Sequence, residues 1–496
     1  MQLIDLFPHL TVKPAPGKPS LISGLSQDSR QIQPGWLFAA LPGNKQDGHA
    51  YLEEALSRGA TAVLSEKKTL SLPAGVIHIH AADSQKAFIE ACAKFWRGRP
   101  QMAVAVTGTN GKTSVADYLH QLWDIAGWQS AALGTMGLRC AVAFPGSELR
   151  GLTGNLTTPP PEKFFAIMDM LGKAGVGRLA FEASSHGISQ QRFSGLAVHI
   201  AVFTNLGRDH LDYHGSMEEY FASKARLFEE NLLAGGIAII NIDDEWGQKL
   251  AVRLQDRQLA ILTFGRAKTA DFRIHLLQPE SFGQLLEVTY QGERFSCPLA
   301  LAGDFQATNA LAAGIAAHAS GLSLPCSLGR LAQLKPVAGR MQPVFGHPAG
   351  ARVVIDYAHT ADALAAALTA LRSETPGQLQ VLFGCGGERD IGKRALMGKA
   401  AARLADRVII TDDNPRGEDP AAIRAEIKKA CKNAEEITPR DAAIQKAVAG
   451  LASQDTLLIA GKGHETVQMI GTETLPFDDA VVARNAIAAL PARRSA

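Results

Sequence analysis

Four things are scarce in this 496-residue chain, and each scarcity excludes something. Cysteine is scarce: the six residues Cys92, Cys140, Cys297, Cys326, Cys385 and Cys431 lie far apart. None has metal-ligand spacing, so a zinc module is excluded and reduced thiols in a cytoplasmic setting are expected. Net charge is nearly absent, at +2, so no bulk field draws the chain to nucleic acid or to a membrane surface. No apolar run approaches the ~18 residues that span a bilayer. The N-terminus, MQLIDLFPHL, lacks a basic region followed by a long apolar core, which argues against a secretory signal. What is abundant is core-forming material: 46% of the residues are hydrophobic. Domains hold about 100–200 residues, so three are expected.

Apolar runs and breaks divide the chain into a small N-terminal α/β domain (1–98), a central P-loop domain with a mostly parallel sheet (99–338) and a C-terminal Rossmann-like α/β domain (339–496). In the first, 36–41 and 62–65 read as strands, and 51–57 and 84–96 as helices. In the second, 179–181, 200–204, 237–242 and 259–264 are short apolar runs of the kind a parallel sheet buries. Residues 284–299, with Gln291-Gly292 at the middle, read as a hairpin. Residues 308–317 read as a helix. In the third, 353–356, 379–383, 408–411 and 456–460 are strands between Ala-rich helices.

The strongest local signal is 103–114, AVAVTGTNGKTS. An apolar strand runs into a glycine turn, then into a helical pattern over 115–126. Backbone N–H groups of such a loop, with the helix N-terminus, form a site for phosphate oxygens. Gly108, Thr109, Asn110, Gly111, Lys112, Thr113 and Ser114 make the loop. Lys112 suits the outer phosphates and the Thr113 hydroxyl suits Mg²⁺. Val106 stands where the usual spacing has glycine, so the loop is a variant.

Two more strand ends carry polar groups. Glu182, in FEASSHGISQQR, can hold Mg²⁺ beside a phosphate loop or cap the next helix. Asp209 and His210, in TNLGRDHLDYHG, can ligate or only bond their own loop. In MEEYFASKARLFEE, helical spacing puts Lys224 on a stripe with Met217, Tyr220, Phe221, Leu227 and Phe228. Such a lysine either snorkels outward or is desolvated and neutral. A neutral amine can add CO₂ to become a carbamate, an acidic metal ligand.

Together GTNGKTS, TTPP at 157–160, EASSHGISQQR, NLGRDHLDYHG and SKARLF resemble the Mur ligases, ATP-dependent enzymes that add amino acids to UDP-N-acetylmuramoyl peptides. The resemblance runs the length of the chain. It implies a UDP domain, an ATP domain and a mobile C-terminal domain. It implies Mg²⁺ ligands at Thr113, Glu182, His210 and Lys224, the last carbamylated to N6-carboxylysine by CO₂. It implies UDP-muramoyl contacts at Ser29, Thr157, Thr158, Ser184, Gln190 and Arg192. Hydroxyls suit a pyrophosphate or sugar, and Arg192 offers a fork to an anion; the threonine pair could alternatively cap the helix after Pro159. Asn309 would contact adenine, Arg340 would close on the ATP phosphates, and Asp356, with His359 behind it, would accept from a ribose hydroxyl. Arg340 could otherwise serve as an interdomain salt bridge.

The added amino acid is read from the third domain. Loops at 384–390, 413–416 and 461–465 follow three strands, and open α/β sheets gather such loops at one crevice. Arg389 and Arg416 supply cationic forks; Asp413 and Glu465 supply carboxylates; Asn414, Pro415 and Gly461 complete the loops. The DNPR stretch resembles the signature of diaminopimelate-adding members. Meso-diaminopimelate carries a distal carboxylate that Arg416 can grip. Lysine lacks it, and an Arg416 left unpaired and buried would cost roughly 2–5 kcal/mol. A type I turn with an exposed arginine is the plainer account of DNPR. The expected partners are UDP-N-acetylmuramoyl-L-alanyl-D-glutamate and meso-diaminopimelate, with no nucleic acid and no membrane, and the chain is expected to be a cytoplasmic monomer. The alternatives are a lysine-adding ligase, a folylpolyglutamate synthase-like ligase and a nucleotide-driven switch.

Overall fold

The computed structural model describes residues 1–10, 21–43, 47–142, 144, 156–280, 283–388 and 390–491. Two units emerge. The first holds 1–107, 127–201 and 222–237; the second holds 108–126, 202–221 and 238–496. No described helix is long and apolar enough to cross a membrane. No disulfide joins any of the six cysteines.

The first unit opens with a four-stranded parallel sheet: β1 (Gly24–Ser26), β2 (Trp36–Ala40), β3 (Ala62–Ser65) and β4 (Ile77–His80), paired in that order. The two inner strands are buried almost throughout, which is why they read as unbroken apolar runs. The helix Ser84–Phe95 follows, capped by Asp83, whose side chain accepts from the Lys86 N–H. Next come β5 (Met102–Thr107), β6 (Ser130–Gly134), β7 (Gly137–Cys140) and β8 (Arg178–Glu182). β8 lies between β5 and β6, parallel to both, and β7 returns antiparallel on β6. Phe164, Phe165, Phe181 and Phe193 interlock in this unit with ring centroids 5.1–5.9 Å apart, the spacing at which edge-to-face aromatic packing is favourable. The chain passes between units within β9 (Val198–Phe203), the helix Met217–Arg226 and β10 (Leu232–Asn241).

In the second unit, β11 (Ala260–Gly265) pairs parallel with β12 (Phe272–Glu280). β12, β13 (Gly283–Tyr290) and β14 (Glu293–Leu299) form an antiparallel meander. The expected hairpin is there: Gln291 and Gly292 both take positive φ, at 49° and 84°, as a two-residue turn between twisted strands requires. β12 has no counterpart in the sequence reading. The helix expected at 308–317 runs longer, Asp304–Ala319, and packs on the helix Lys112–Ile125 through Tyr118–Gln306 and Trp123–Ser320 hydrogen bonds.

A six-stranded sheet completes this unit: β15 (Gln342–Val344), β16 (Arg352–Asp356), β17 (Leu379–Phe383), β18 (Arg407–Ile410), β19 (Glu435–Glu436) and β20 (Thr456–Ala460). Its order is β15-β16-β20-β17-β18-β19, parallel except for β15. Apolar cores lie on both of its faces. Because β17, β18 and β20 are parallel neighbours, the loops that follow them leave from one edge. A short hairpin, β21 (Val467–Ile470) and β22 (Glu473–Pro476), follows β20.

Candidate active site

The phosphate loop lies in the second unit. Gly111 takes a left-handed φ of 88° at the N-cap of the helix that Lys112 begins. A Cβ there would meet Asn309 Oδ1 at 2.4 Å, and one on Gly108 would meet Thr204 Oγ1 at 1.9 Å, so both positions require glycine. Thr204 Oγ1 donates to the Asn110 carbonyl at 2.6 Å. Thr109 Oγ1 accepts from the Gly207 N–H at 2.9 Å and lies 3.3 Å from the Tyr220 hydroxyl. Lys112 folds over its own loop and donates to the carbonyls of Gly108 (2.9 Å) and Thr109 (2.7 Å).

A cavity of about 160 Å³ adjoins the loop, lined by Thr204, Asn205, Asn241, Asp243, Phe305 and Asn309. Only Asn309 among these stood out in the sequence. A signal was available: Thr204 and Asp243 are among the first polar residues after the apolar runs of β9 and β10.

Arg340 Nη2 sits 3.3 Å from Thr113 Oγ1, and its guanidinium lies 4.4 Å over the Tyr357 ring. Among the described residues no carboxylate pairs with it at bonding distance, so the salt-bridge account of Arg340 gives way to a contact with the loop. Asp356 is buried, and its two oxygens accept from the backbone N–H of Met341 (2.7 Å) and Ala358 (2.8 Å). Burial pushes its carboxyl up, opposed by Arg340. Asp356 thereby anchors the residue after Arg340, which itself has a φ of 48°. His359 Nδ1 lies 2.9 Å from the Tyr357 carbonyl; burial, then Lys393, lowers its pKa. Asp209 lies beside His210, 3.5 Å away. Burial works against its ionised form, but His210, His359 and Lys112 hold its carboxyl below the usual value.

In the first unit, six of the residues singled out for substrate and metal meet. Glu182, 2% exposed at the end of β8, accepts from the Thr135 N–H (2.8 Å) and hydroxyl (3.0 Å). It caps no helix; Ser184 does so, accepting from the Gly187 N–H. Thr158 donates to the Glu182 carbonyl at 2.8 Å and lies 3.0 Å from the Ser184 hydroxyl, so it is not a cap either. Thr157 lies 3.1 Å from Thr135 Oγ1. Arg192 donates to the Thr158 carbonyl (2.6 Å) and, in two bonds, to Gln190 Oε1. Thr135 was missed: it sits in the two-residue turn between β6 and β7, with no motif around it. Lys224 is 1% exposed, which removes the snorkelling account. Of the four residues named for magnesium, Glu182 and Lys224 belong to this unit, Thr113 and His210 to the other.

The first-sheet loops are tied to this unit as well. Ser29 donates to Glu54 at 2.7 Å. His49 bridges Asp47 and Ser65, both at 2.6 Å. Gln27 Nε2 donates to Glu162 at 3.1 Å, and Glu162 is 5% exposed. Burial raises the Glu162 carboxyl above its ordinary value, with its own backbone and Gln27 opposing. The folded chain then holds this proton more tightly than the unfolded one. Stability from this group is full below the unfolded value of about 4.3 and is lost as pH rises through the folded value. Glu162→Gln keeps the acceptor for Gln27 and removes that loss. It is expected to melt above wild type near pH 7.5, with the gap closing by about pH 4, as thermal melts across pH will show.

The loops at the edge of the second unit's six-stranded sheet do converge. Asn414 Nδ2 donates to Glu465 Oε2 at 2.7 Å, while Asn414 Oδ1 accepts from the Met469 N–H at 2.9 Å. Arg416, with a φ of 52°, donates through Nη1 to the carbonyls of Gly387 (2.8 Å) and Asn414 (3.4 Å). Its Nε and Nη2 make no hydrogen bond among the described residues. Gly387 packs so closely on the Pro415 carbonyl that a Cβ would lie 2.0 Å from it, and a Cβ on Gly461 would lie 2.7 Å from Asp413 Oδ2. Arg389 lies outside the described residues. DNPR is thus no plain exposed turn: Asp413 and Asn414 are 8% and 3% exposed.

A phosphate loop on a parallel strand, joined to a second, mostly parallel sheet with charged loops at one edge, defines a P-loop α/β protein with an appended α/β sheet. The chain belongs to the Mur ligase family. Residues 21–96 match the Mur ligase family catalytic domain, 106–317 the Mur ligase middle domain and 339–463 the Mur ligase glutamate ligase domain. It is 43% identical to the UDP-N-acetylmuramoyl-L-alanyl-D-glutamate--2,6-diaminopimelate ligase of Rhizobium meliloti, over 99% of this chain and 100% of that one. The protein of the same name from Caulobacter vibrioides is 44% identical over 92% of this chain and 94% of that one. A solved structure of such a ligase is 34% identical with a TM-score of 0.69, covering 99% of both chains. A Thermotoga maritima MurF ligase in complex with ADP, 19% identical with a TM-score of 0.62 over 94% and 96% of the two chains, shares the fold.

Proposed function

We propose that this chain is an ATP-dependent amide ligase of peptidoglycan precursor synthesis. It joins meso-2,6-diaminopimelate to the D-glutamate carboxylate of UDP-N-acetylmuramoyl-L-alanyl-D-glutamate, acting as a cytoplasmic monomer. Residues 1–98 serve the uridine diphosphate, 99–338 the ATP and 339–496 the incoming amino acid. The observation that carries the choice of amino acid is Arg416. Among the described residues its Nε and Nη2 make no hydrogen bond, and the adjoining Asn414 is bonded to Glu465, which suits a distal carboxylate next to an ammonium. Relatives 43–44% identical over nearly the whole chain carry the diaminopimelate-adding name, which supports the same choice.

The residues fit a nucleotide and a magnesium ion. Gly108 and Gly111 let the loop pack against Thr204 and Asn309, where a Cβ would collide, and so hold the turn that would present its N–H groups to phosphate. Thr113 and Glu182 offer the hard oxygen donors Mg²⁺ prefers. Lys224, 1% exposed, offers a further carboxylate once CO₂ has converted it to a carbamate. Thr113, Glu182, His210 and carbamylated Lys224 are the residues that would hold magnesium, which would supply charge neutralisation for phosphoryl transfer. Lys112 leaves its loop carbonyls for the outer phosphates, and Asn309 contacts the adenine. Arg340 reaches the phosphates beside Thr113, with Asp356 and His359 behind it at the ribose. Ser29, Thr157, Thr158, Ser184, Gln190 and Arg192 hold the UDP-muramoyl substrate. The D-glutamate carboxylate attacks the γ-phosphorus and displaces ADP, giving an acyl phosphate. The amine, positioned by Asp413, Asn414, Arg416 and Glu465, attacks that carbonyl; the tetrahedral adduct collapses to amide and phosphate. Catalysis is positioning and charge neutralisation.

Phosphate release with UDP-N-acetylmuramoyl-L-alanyl-D-glutamate and ATP tests the reading. It is expected to require diaminopimelate, with lysine at least about 100-fold poorer in kcat/KM. Equal use of lysine, or release independent of any amino acid, would overturn it. Arg416→Ala is expected to raise the KM for diaminopimelate at least about tenfold while leaving that for ATP unchanged.

A further inference from the structure

The acceptor pocket contains a buried cation that the reaction above leaves without a role. Lys462 follows β20 and is 0% exposed. Its ammonium donates to the Val467 carbonyl at 2.7 Å, to Asn414 Oδ1 at 3.2 Å and to Glu465 Oε2 at 3.2 Å. Three donors meet three acceptors, so Lys462 has no hydrogen bond left for a substrate. Its effect is on its neighbours. Asn414 Oδ1 receives both Lys462 and the Met469 N–H, which fixes the amide orientation and turns Nδ2 toward Glu465 Oε2. Glu465 Oε2 therefore takes two donors, and Oε1 accepts no hydrogen bond among the described residues. The other charges nearby are Asp413 and Arg416 on the adjoining loop, and Arg440, which is paired with Asp479 in a wholly buried salt bridge.

We propose that Lys462 is the positioning and charge-balancing residue that makes this pocket prefer a diamino diacid over a diamino monoacid. The inference rests on the function proposed above. Diaminopimelate carries two ammonium and two carboxylate groups and is neutral overall; lysine carries one positive charge more. With Lys462 in place its ammonium offsets the Glu465 charge, and Arg416 can face the second carboxylate without a surplus of negative charge around it. Without the Lys462 charge the pocket becomes more anionic by one unit. Lysine then gains on diaminopimelate, and only the Met469 N–H is left to fix the Asn414 amide oxygen. Discrimination of this kind lies in the difference between two affinities, so a buried group that touches neither amino acid can set it.

The test uses the full-length enzyme, after wild type has been shown to use diaminopimelate; failure at that first step would sink the proposed function and not this inference. K462M, K462Q, K462R and K462M/E465Q are compared in kcat/KM for diaminopimelate and for lysine. K462M is expected to raise the KM for diaminopimelate by roughly 100-fold and to lower the diaminopimelate-to-lysine ratio at least about tenfold, with the KM values for ATP and the nucleotide substrate unchanged. K462R should recover most of the ratio. K462M/E465Q, which removes both charges, should return the ratio to within about threefold of wild type, because the two residues are directly coupled. If K462M does not fold, K462Q, which keeps donors for the buried acceptors, reads the same ratio. An equal fall for both amino acids, an unchanged ratio, or a lowered melting temperature with wild-type kinetics would overturn the proposal.

Discussion

Lys112→Ala is expected to abolish ADP formation, by at least roughly 10³-fold, with the fold retained. In the structure Lys112 Nζ is held by the carbonyls of Gly108 and Thr109. Both acceptors belong to the phosphate loop itself, so the lysine is parked where arriving phosphates would draw it outward. Alanine removes the charge that would meet the γ-phosphate and leaves the loop backbone intact. The loop's shape rests on other contacts: Thr204 on Asn110, Thr109 on Gly207, and the close approach of Gly111 to Asn309. A thermal melt close to wild type, together with loss of ADP release measured with both substrates present, is the expected pair of results. Normal turnover would mean that nucleotide binds elsewhere.

Lys224→Ala is expected to lose roughly 10²–10³-fold in kcat and to regain part of it with formate or acetate. Lys224 is 1% exposed on a helix whose Tyr220 and neighbouring Leu227 and Phe228 are also buried. A buried ammonium beside a metal would repel it. A carbamate forms when the neutral amine bonds to the carbon of CO₂ and one proton leaves, and it puts a carboxylate in the same place. A small carboxylate in the cavity left by Lys224→Ala replaces that group, whereas chloride does not. Lys224→Arg retains charge and bulk but cannot carry the carbamate, so it should stay inactive with or without formate. Full activity of Lys224→Ala, or rescue by chloride as well as formate, would remove the carbamate from the account.

Legibility followed the range of the interactions. β5 and the glycine loop could be read because a buried parallel strand must be apolar and a phosphate cradle must be Gly-rich, and both constraints fall within twelve adjacent residues. β17, β18 and β20 were readable for the same reason, and the charged loops after them were found through strand direction. Thr135 was not, since nothing in a two-residue turn announces that its N–H and hydroxyl both meet Glu182 across 47 residues. Lys462 stands between two glycines, with nothing local to signal its burial. Its burial depends on Asn414, 48 residues away, and on a hairpin that comes after it. Arg440 and Asp479, 39 residues apart, form a fully buried ion pair that no local pattern signals. Asp356 was found as a strand-end carboxylate, but its bonds to the Met341 and Ala358 backbone were out of reach.

The most direct measurement follows oxygen. UDP-N-acetylmuramoyl-L-alanyl-D-glutamate carrying ¹⁸O in both oxygens of the acceptor carboxylate is turned over with ATP and diaminopimelate, and the products are weighed by mass spectrometry. One ¹⁸O should appear in inorganic phosphate and the other in the new amide, in equal amounts. Unlabelled phosphate alongside amide product would mean that the carboxylate never bonded to the γ-phosphorus, and the account given for Lys112 and Lys224 would be wrong.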